Sequence, residues 1–275
     1  MRNIAIPGKH RASIVPVFYI IFLMIPIYWL INMSLKSQQE ILGTMSLLPE
    51  APTMANYMVI FSDPSWYLSY LNAAIYVLMN VVISVTVAIP AAYAFSRYHF
   101  VGDRHMFFWF LASRMTPPAV LLVPFVQVFS SLNLIDTYTA VAVAHCLFNV
   151  PISVWILEGF ISSIPREMDE IAQVDGYSRP AYFLKILLPQ IAPGIGVTAF
   201  FCFMFSWIEL LLANGLTTVD TKPIGAVMGR AGSVLGGGHI GLLSAASVLT
   251  LIPGIAMIIL VRRHIARGLS LGQVK

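Results

Sequence analysis

The sequence predicts an all-α integral membrane protein of six transmembrane helices with a two-helix cytoplasmic loop, and three observations carry that prediction. Of 275 residues 58% are hydrophobic and only 10% charged, with a mean hydropathy of +0.82, a balance that soluble globular domains do not show. Six apolar runs reach the roughly 20 residues needed to cross a hydrocarbon layer, at about 12–34, 69–95, 106–131, 139–160, 191–213 and 242–261. Finally, basic residues gather on one side of these runs. Arg2, Lys9, Arg11, Arg97, Arg104, Arg166, Arg179, Lys185, Arg262, Arg263, Arg267 and Lys275 share a side, and only Lys36, Lys222 and Arg230 fall on the other. The positive-inside rule therefore places both termini and the 161–190 loop in the cytoplasm, with external loops at about 35–68, 132–138 and 214–241.

Each run has its own punctuation. The first, Ala12 to Met33, is too long for a signal h-region and is followed by Ser34, Leu35 and Lys36 rather than a small-residue cleavage site, so it predicts a retained span. Pro16 and Pro26 inside it predict kinks. Pro117, Pro118 and Pro124 predict breaks in the third run, and Pro151 in the fourth; such breaks occur near gates as well as in plain membrane helices. Cys146 and Cys202 lie in apolar runs and predict small core residues, not a disulfide or a thiolate site.

The loop from Pro165 to Pro193, PREMDEIAQVDGYSRPAYFLKILLPQIAP, is a charged island between two apolar runs. Pro165 suits a first helical turn, and Glu167, Asp169 and Glu170 put negative charge at the positive end of the helix dipole. Ile164, Met168, Ile171 and Val174 recur at spacings of three and four and predict one apolar face opposite Glu167 and Glu170. Gly176 predicts a left-handed end to that helix, and Ser178 with Pro180 predicts the cap and first turn of a second. The expectation is a pair of short amphipathic helices with an exposed turn at Asp175, Gly176 and Tyr177.

Several chemistries lack their residues. No G-x-x-x-x-G-K-[ST] phosphate loop and no H-E-x-x-H metal spacing occurs. Gly236, Gly238 and Gly241 form a G-x-G-x-x-G, but no strand precedes it and the topology puts it outside, where a flexible loop is the expectation. Polar residues inside the spans are the remaining candidates, because a charge at mid-bilayer costs about 2.5 to 3.5 kcal/mol and usually faces protein or water. Counting along straight helices puts Arg114 roughly 12 Å from the cytoplasmic start of its span and Glu209 roughly 27 Å along its own. Their depths differ by about 15 Å, so no direct ion pair is expected, and Asn149 matches Arg114 better. Arg114, Asn149, Ser206, Trp207 and Glu209 form a candidate polar pathway, with Trp207 as an aromatic platform. The alternative for Asn80, Ser84 and Asn149 is hydrogen bonding between helices. Glu158, at a span's cytoplasmic end, is expected to reach water.

The pattern Glu170, Ala172, Asp175 and Gly176, followed by Leu188, Pro189 and Pro193, resembles the EAA loop of binding-protein-dependent ABC importers, with Ile171 in place of the first alanine. AAYAFSRYHFVGDR (91–104), SWIELLLA (206–213) and RGLSLGQVK (267–275) look like the second permease subunit of maltose-type carbohydrate importers. The resemblance implies one permease domain over residues 1–275, in the inner membrane of a bacterium. It implies a homologous second permease, two ATPase subunits and an extracytoplasmic solute-binding protein as partners, and no nucleic acid. This chain would bind no cofactor, ATP and magnesium belonging to the ATPase subunits. Glu167, Glu170, Ala172, Asp175, Gly176, Tyr177, Tyr182 and Phe183 become candidate ATPase-coupling residues. Glu170 and Asp175 would orient the loop, and Tyr177, Tyr182 and Phe183 would fill the ATPase cleft. The implied solute is a neutral carbohydrate or polyol. An ion-coupled secondary transporter or channel is the competing class, but it calls for paired acidic residues at mid-membrane and internal repeats, which the sequence does not show. A membrane scaffold without transport would leave the two-helix loop unexplained.

Overall fold

A computed structural model describes residues 11–43, 46–233 and 238–271, with side chains for 15–262 within those ranges. Arg2, Lys9, Gly236 and Lys275 lie outside the described residues. Every regular element among the described residues is helical: α1 Arg11–Ser34, α2 Gln38–Gly43, α3 Ala55–Ser62, α4 Pro64–Arg97, α5 Asp103–Ser113, α6 Pro118–Ser131, α7 Tyr138–Ser162, α8 Glu167–Val174, α9 Arg179–Tyr182, α10 Leu188–Gln190, α11 Ala192–Ile208, α12 Leu211–Leu216, α13 Ile224–Gly232 and α14 Ile240–Leu271, with a π-helical turn at Phe183–Leu187 between α9 and α10.

Among the described residues four helices are long and apolar enough to cross a membrane: Val15–Ser34, Pro64–Arg97, Tyr138–Ser162 and Ile240–Arg262. Two bent pairs raise the number to six if each is one span. In the first, α5 and α6 meet at 95°, the break expected at Pro117 and Pro118, whereas Pro124 sits inside an uninterrupted α6. Pro117 is extended at φ −63°, ψ 130°, and Pro118 opens α6; two consecutive prolines cannot donate to the preceding turn and push the residue before them out of the helical region. In the second pair, Arg179–Gln190 turns into α11 at 72°. The fifth run also ends early: α11 stops at Ile208 and Glu209 is extended before α12 begins. Pro151, by contrast, sits inside an α7 that runs through from Tyr138 to Ser162, so the predicted break in the fourth run is absent.

Contacts gather into two compact units. One comprises residues 1–64 and 228–252, the other 65–227 and 253–275. In the first, Lys36 is fully buried and its Nζ donates to the Ser46 carbonyl at 2.6 Å and to Ser46 Oγ at 2.8 Å, with Glu40 at 3.9 Å. Asn56 Nδ2 donates to the carbonyls of Ser34 and Lys36. Gly238 and Gly241 belong here. Gly238 has φ +56° and its carbonyl accepts from Gln38 Nε2 at 3.1 Å, while a Cβ on Gly241 would stand 2.8 Å from Asn56 Nδ2 and 3.1 Å from the Lys36 carbonyl. These two glycines serve a left-handed turn and a close approach; the rest of the loop expected to be flexible, Gly236 included, lies outside the described residues.

The second unit is built on α4, α7 and α11, with α5 and α11 packed against α7 and α12 against α6. Its core joins Ala88 and Ala92 of α4, Val154, Leu157 and Ile161 of α7, and Ala172, Tyr182, Leu187 and Ile191 of the loop. The small alanines let α4 come close to the loop, which is thereby a packed part of the bundle.

Candidate functional site: a packed hairpin and a polar core

The 165–190 loop folds as a helical hairpin, and its turn follows from backbone hydrogen bonding. Gly176 takes φ +83°; its N–H donates to the Gln173 carbonyl at 3.1 Å, and the Tyr177 N–H donates to the Ala172 carbonyl at 2.9 Å. This 5→2 and 6→1 pair is a Schellman closure, which satisfies two orphan carbonyls of α8 and needs a left-handed residue between them. The next helix opens with extended Ser178 and Pro180 in its first turn, but the Ser178 side chain makes no capping bond. Its carbonyl accepts from the Tyr182 N–H at 2.9 Å instead.

Which face of the hairpin is buried differs from the periodicity reading. Ile171 is 54% and Val174 87% exposed, whereas Ala172 is only 4% exposed. The inward stripe is Ile164, Met168 and Ala172, flanked by Asp169, because Ala172 fits the tight gap beside α4 and α7. Ile171 and Val174 are left outside as an apolar surface. Tyr182, 3% exposed, donates from its phenol to Asp169, and Phe183 packs edge-on against Tyr93 at 5.4 Å. Tyr182 therefore braces the hairpin from within, against its assignment to an ATPase cleft, and Phe183 is half-buried; Glu167, Glu170, Asp175, Gly176 and Tyr177 are the exposed members.

Orientation of the hairpin is likewise carried by residues the sequence did not single out. Arg97, at the end of α4, has Nε 2.9 Å from Asp169 Oδ2. That N–H is not aimed along the contact, so the approach is ionic, while Nη2 donates to the Ile164 carbonyl at 3.1 Å and to Asp169 Oδ1 at 3.4 Å. Arg166 reaches back, its Nη2 donating to the Ser96 carbonyl at 3.0 Å. Asp169, rather than Glu170 or Asp175, is the oriented acid. A cavity of about 190 Å³ opens beside this cluster, lined among others by Arg97, Arg166, Glu170 and Arg179.

The intramembrane polar residues divide into two groups. Asn80 Oδ1 accepts from Asn149 Nδ2 at 2.5 Å and from Ser206 Oγ at 2.8 Å, and Asn80 Nδ2 donates to the Ala142 carbonyl at 2.8 Å. Asn149 Nδ2 also reaches the Cys202 carbonyl and Ser206 Oγ. All three side chains are fully buried. They bolt α4, α7 and α11 together, as the alternative of hydrogen bonding between helices has it for Asn80 and Asn149. Cys202 is buried against Ser153 and Cys146 is half-buried near Ser84.

Glu209 has an unforeseen partner: its Oε2 lies 3.1 Å from Nε2 of fully buried His145, and its carboxylate accepts from the N–H groups of Leu211, Leu212 and Ala213 at the start of α12. It too is committed within the chain. Arg114 and Trp207 remain half-buried. Arg114, at the break between α5 and α6, donates from Nη1 to the Phe148 carbonyl at 2.8 Å and stands 5.4 Å over the Phe205 ring, an aromatic partner for its charge. Trp207 stacks on Phe203 at 5.7 Å. Glu158 is half-buried and accepts from Ser162 Oγ at 2.6 Å.

At the other end of α4 a second cluster forms around Asp136, a left-handed residue at φ +61°. Its carboxylate accepts from the N–H groups of Thr218, Val219, Asp220 and Thr221 and from both threonine hydroxyls. Burial would raise its pKa, but the bonds from Thr218, Val219 and Thr221 outweigh that and hold the carboxyl well below the usual range. Asn72 of α4 donates to the carbonyls of Asp220 and Lys222 and accepts from Tyr138.

Comparison with known proteins gives one family. The profile of the binding-protein-dependent transport system inner membrane component matches residues 84–271. A trehalose/maltose transport system permease protein, MalG, of Thermococcus litoralis is 31% identical over 261 residues, covering 93% of this chain and 92% of its own. A sulfoquinovosyl glycerol transport system permease protein, SmoH, of Agrobacterium fabrum is 28% identical, covering 92% and 89%. A chain of a bacterial ABC transporter involved in the import of the acidic polysaccharide alginate superposes with a TM-score of 0.77, over 95% of this chain and 99% of that one, at 20% identity. A structure of the bacterial alginate ABC transporter in complex with alginate pentasaccharide-bound periplasmic protein contains a chain that superposes at 0.68 with 15% identity. At these identities the structural likeness is one of fold.

Proposed function

The chain belongs to the binding-protein-dependent transport system inner membrane components, and, taking it as the non-catalytic permease subunit of such an ATP-driven importer, we propose that it passes a neutral carbohydrate or polyol across the inner membrane by alternating access. Its relatives named for trehalose and for trehalose/maltose support that solute class. Partners in this reading are a homologous second permease, two ATPase subunits carrying ATP and magnesium, and an extracytoplasmic solute-binding protein. Both termini and the hairpin face the cytoplasm, as the distribution of Lys and Arg supports.

One observation carries the mechanism: the hairpin is closed by Gly176 and seated in the core of α4 and α7. A displacement applied to its exposed residues, Glu167, Glu170, Asp175 and Tyr177, passes into the helices because packed interiors do not deform continuously. Ile171 and Val174 add apolar area to that docking face. Arg114 and Trp207 are the residues that line the pathway in this reading. Arg114 uses one donor on the Phe148 carbonyl, and a guanidinium has five to offer, so its remaining donors suit hydroxyl groups passing through.

The test is uptake by the reconstituted importer with its own partner subunits. Accumulation of a neutral sugar or polyol should require ATP on the hairpin side and binding protein on the other. Accumulation driven by an ion gradient without ATP would favour the secondary-transporter class instead.

A further inference from the structure

We propose that Arg97, Asp169 and Tyr182 form a mechanical joint that makes α4 a driven element of transport, resting on the reading of the hairpin as the ATPase docking site. The chain connects the hairpin directly to α7 and to α11, but to α4 only through space. Beyond the apolar packing of Ala88 and Ala92 against it, what joins it to α4 is a crossed pair of arginines. Arg97 of α4 donates to the Ile164 carbonyl beyond the end of α7, and Arg166 of the hairpin donates to the Ser96 carbonyl at the end of α4. Arg166 thus satisfies a carbonyl that the termination of α4 leaves without a partner, and Arg97 holds a carbonyl of the link between α7 and α8.

Between them the ion pair closes the joint. The Arg97 side chain is 5% and that of Asp169 16% exposed, with 2.9 Å between Nε and Oδ2. Water screens such a pair far less than a surface pair. The Tyr182 phenol, from the second helix of the hairpin, donates to the same carboxylate, so Asp169 gathers both arms of the hairpin onto α4. Ser96 and Ser162 hydroxyls meet at 2.8 Å in the same layer. Farther along α4, Asn80 is bonded to Asn149 of α7 and Ser206 of α11. The joint and this polar core together fasten α4 at two levels, so that hairpin, α4, α7 and α11 move as one lever. Without the joint, the hairpin and its covalently attached helices can shift while α4 lags.

Two measurements on the assembled importer test this. Spin labels at Gln173 on the hairpin and Val87, half exposed on α4, should report the same separation in the nucleotide-free and ATP-bound states of the otherwise unchanged chain, and a separation that changes with nucleotide in an Arg97→Gln background. A separation that changes in the unchanged chain overturns the lever. In transport, Arg97→Gln and Asp169→Asn should retain the ATPase subunits and ATP hydrolysis while solute moved per ATP falls roughly five- to tenfold. The double variant should be little worse than either single one, since both break the same contact. A wild-type ratio in these variants, or losses that multiply in the double, overturns the joint. If a single variant does not assemble because it strands a charge, the charge-exchanged pair Arg97→Asp with Asp169→Arg provides the transport readout: partial recovery of the ratio supports the joint, and assembly with a wholly uncoupled ratio overturns it. Failure of the underlying docking reading looks different: Gly176→Val would then leave ATPase co-purification and uptake unchanged, whatever the Arg97 variants do.

Discussion

The two ends of the α4–α7–α11 unit solve the same problem with different chemistry. Each must hold segments that are far apart in sequence. At the hairpin end the link is made by long side chains, Arg97 and Arg166 reaching to Ile164, Asp169 and Ser96. At the opposite end one short side chain, Asp136, collects four consecutive backbone N–H groups and two hydroxyls. Backbone groups held by a two-carbon side chain leave little rotational freedom, so the Asp136 end behaves as a rivet. Planar guanidinium forks hold carbonyls and a carboxylate of the facing element in fixed geometry, so in the proposed joint α4 follows the hairpin. The difference teaches which end is built to transmit motion and which to stay fixed.

The largest effect is expected from Gly176→Val. A Cβ there would meet nothing within 4 Å, so the penalty is purely conformational, arising from φ +83°, where a β-branched residue is a genuine outlier. Uptake should be abolished while solute binding by the separate binding protein is normal, and Gly176→Ala should be milder. Co-purification of ATPase subunits with uptake and ATP hydrolysis measures this. Retained uptake in the Val variant would break the comparison at the hairpin end.

Asp136→Ala comes next. It strips the acceptor from six donors, and with charged hydrogen bonds worth about 1.5–3 kcal/mol each but far from additive, a loss of about 3 kcal/mol is expected. Thermal unfolding of the detergent-purified complex should show it, with ATP hydrolysis by the surviving complex retained. Gly194→Ala should cost about 1–3 kcal/mol through overpacking, since the added Cβ would fall 2.6 Å from Phe160 Cγ and 3.0 Å from its Cβ, atoms that cannot swing aside. Asn80→Ala, between the two ends, should cost only about 1 kcal/mol, the usual scale for hydrogen bonds between membrane helices. The same melting curves rank all three.

The smallest expected effect is that of pH on the rivet. The folded-state pKa of Asp136 is depressed, so its contribution is fully present above the unfolded carboxylate value and is lost only as pH falls through the lower folded one. Stability of this end should therefore be flat from about pH 5 to pH 8, and a slope there that disappears in Asp136→Asn would contradict the burial-offsetting hydrogen bonds assigned to it.

Much of the hairpin was legible in the sequence because its signals are local. Gly176 ends α8 by the backbone rule that predicted it, and Pro180 opens the next helix where expected. The buried face was not, since periodicity favours large apolar residues and gave Ile171 and Val174 weight over Ala172, whose small size is what the close approach of α4 requires. A usable signal was present: Asp169 and Ala172 are three apart and share a stripe. Arg97–Asp169 and His145–Glu209 pair across 72 and 64 residues, beyond any local pattern. Glu209 was placed by counting along a straight helix, an assumption that fails where α11 stops at Ile208.

The central claim, that the hairpin is the face toward the ATPase subunits and the Asp136 end the face toward the binding protein, is tested most directly by thiol labelling in intact cells. Single cysteines replacing Tyr177, 41% exposed, and Val219, 79% exposed, should be treated with an impermeant reagent. Val219→Cys should label in intact cells, whereas Tyr177→Cys should label only after permeabilisation and only once the ATPase subunits have been stripped away. Labelling of Tyr177→Cys in intact cells, with Val219→Cys protected, would contradict the account.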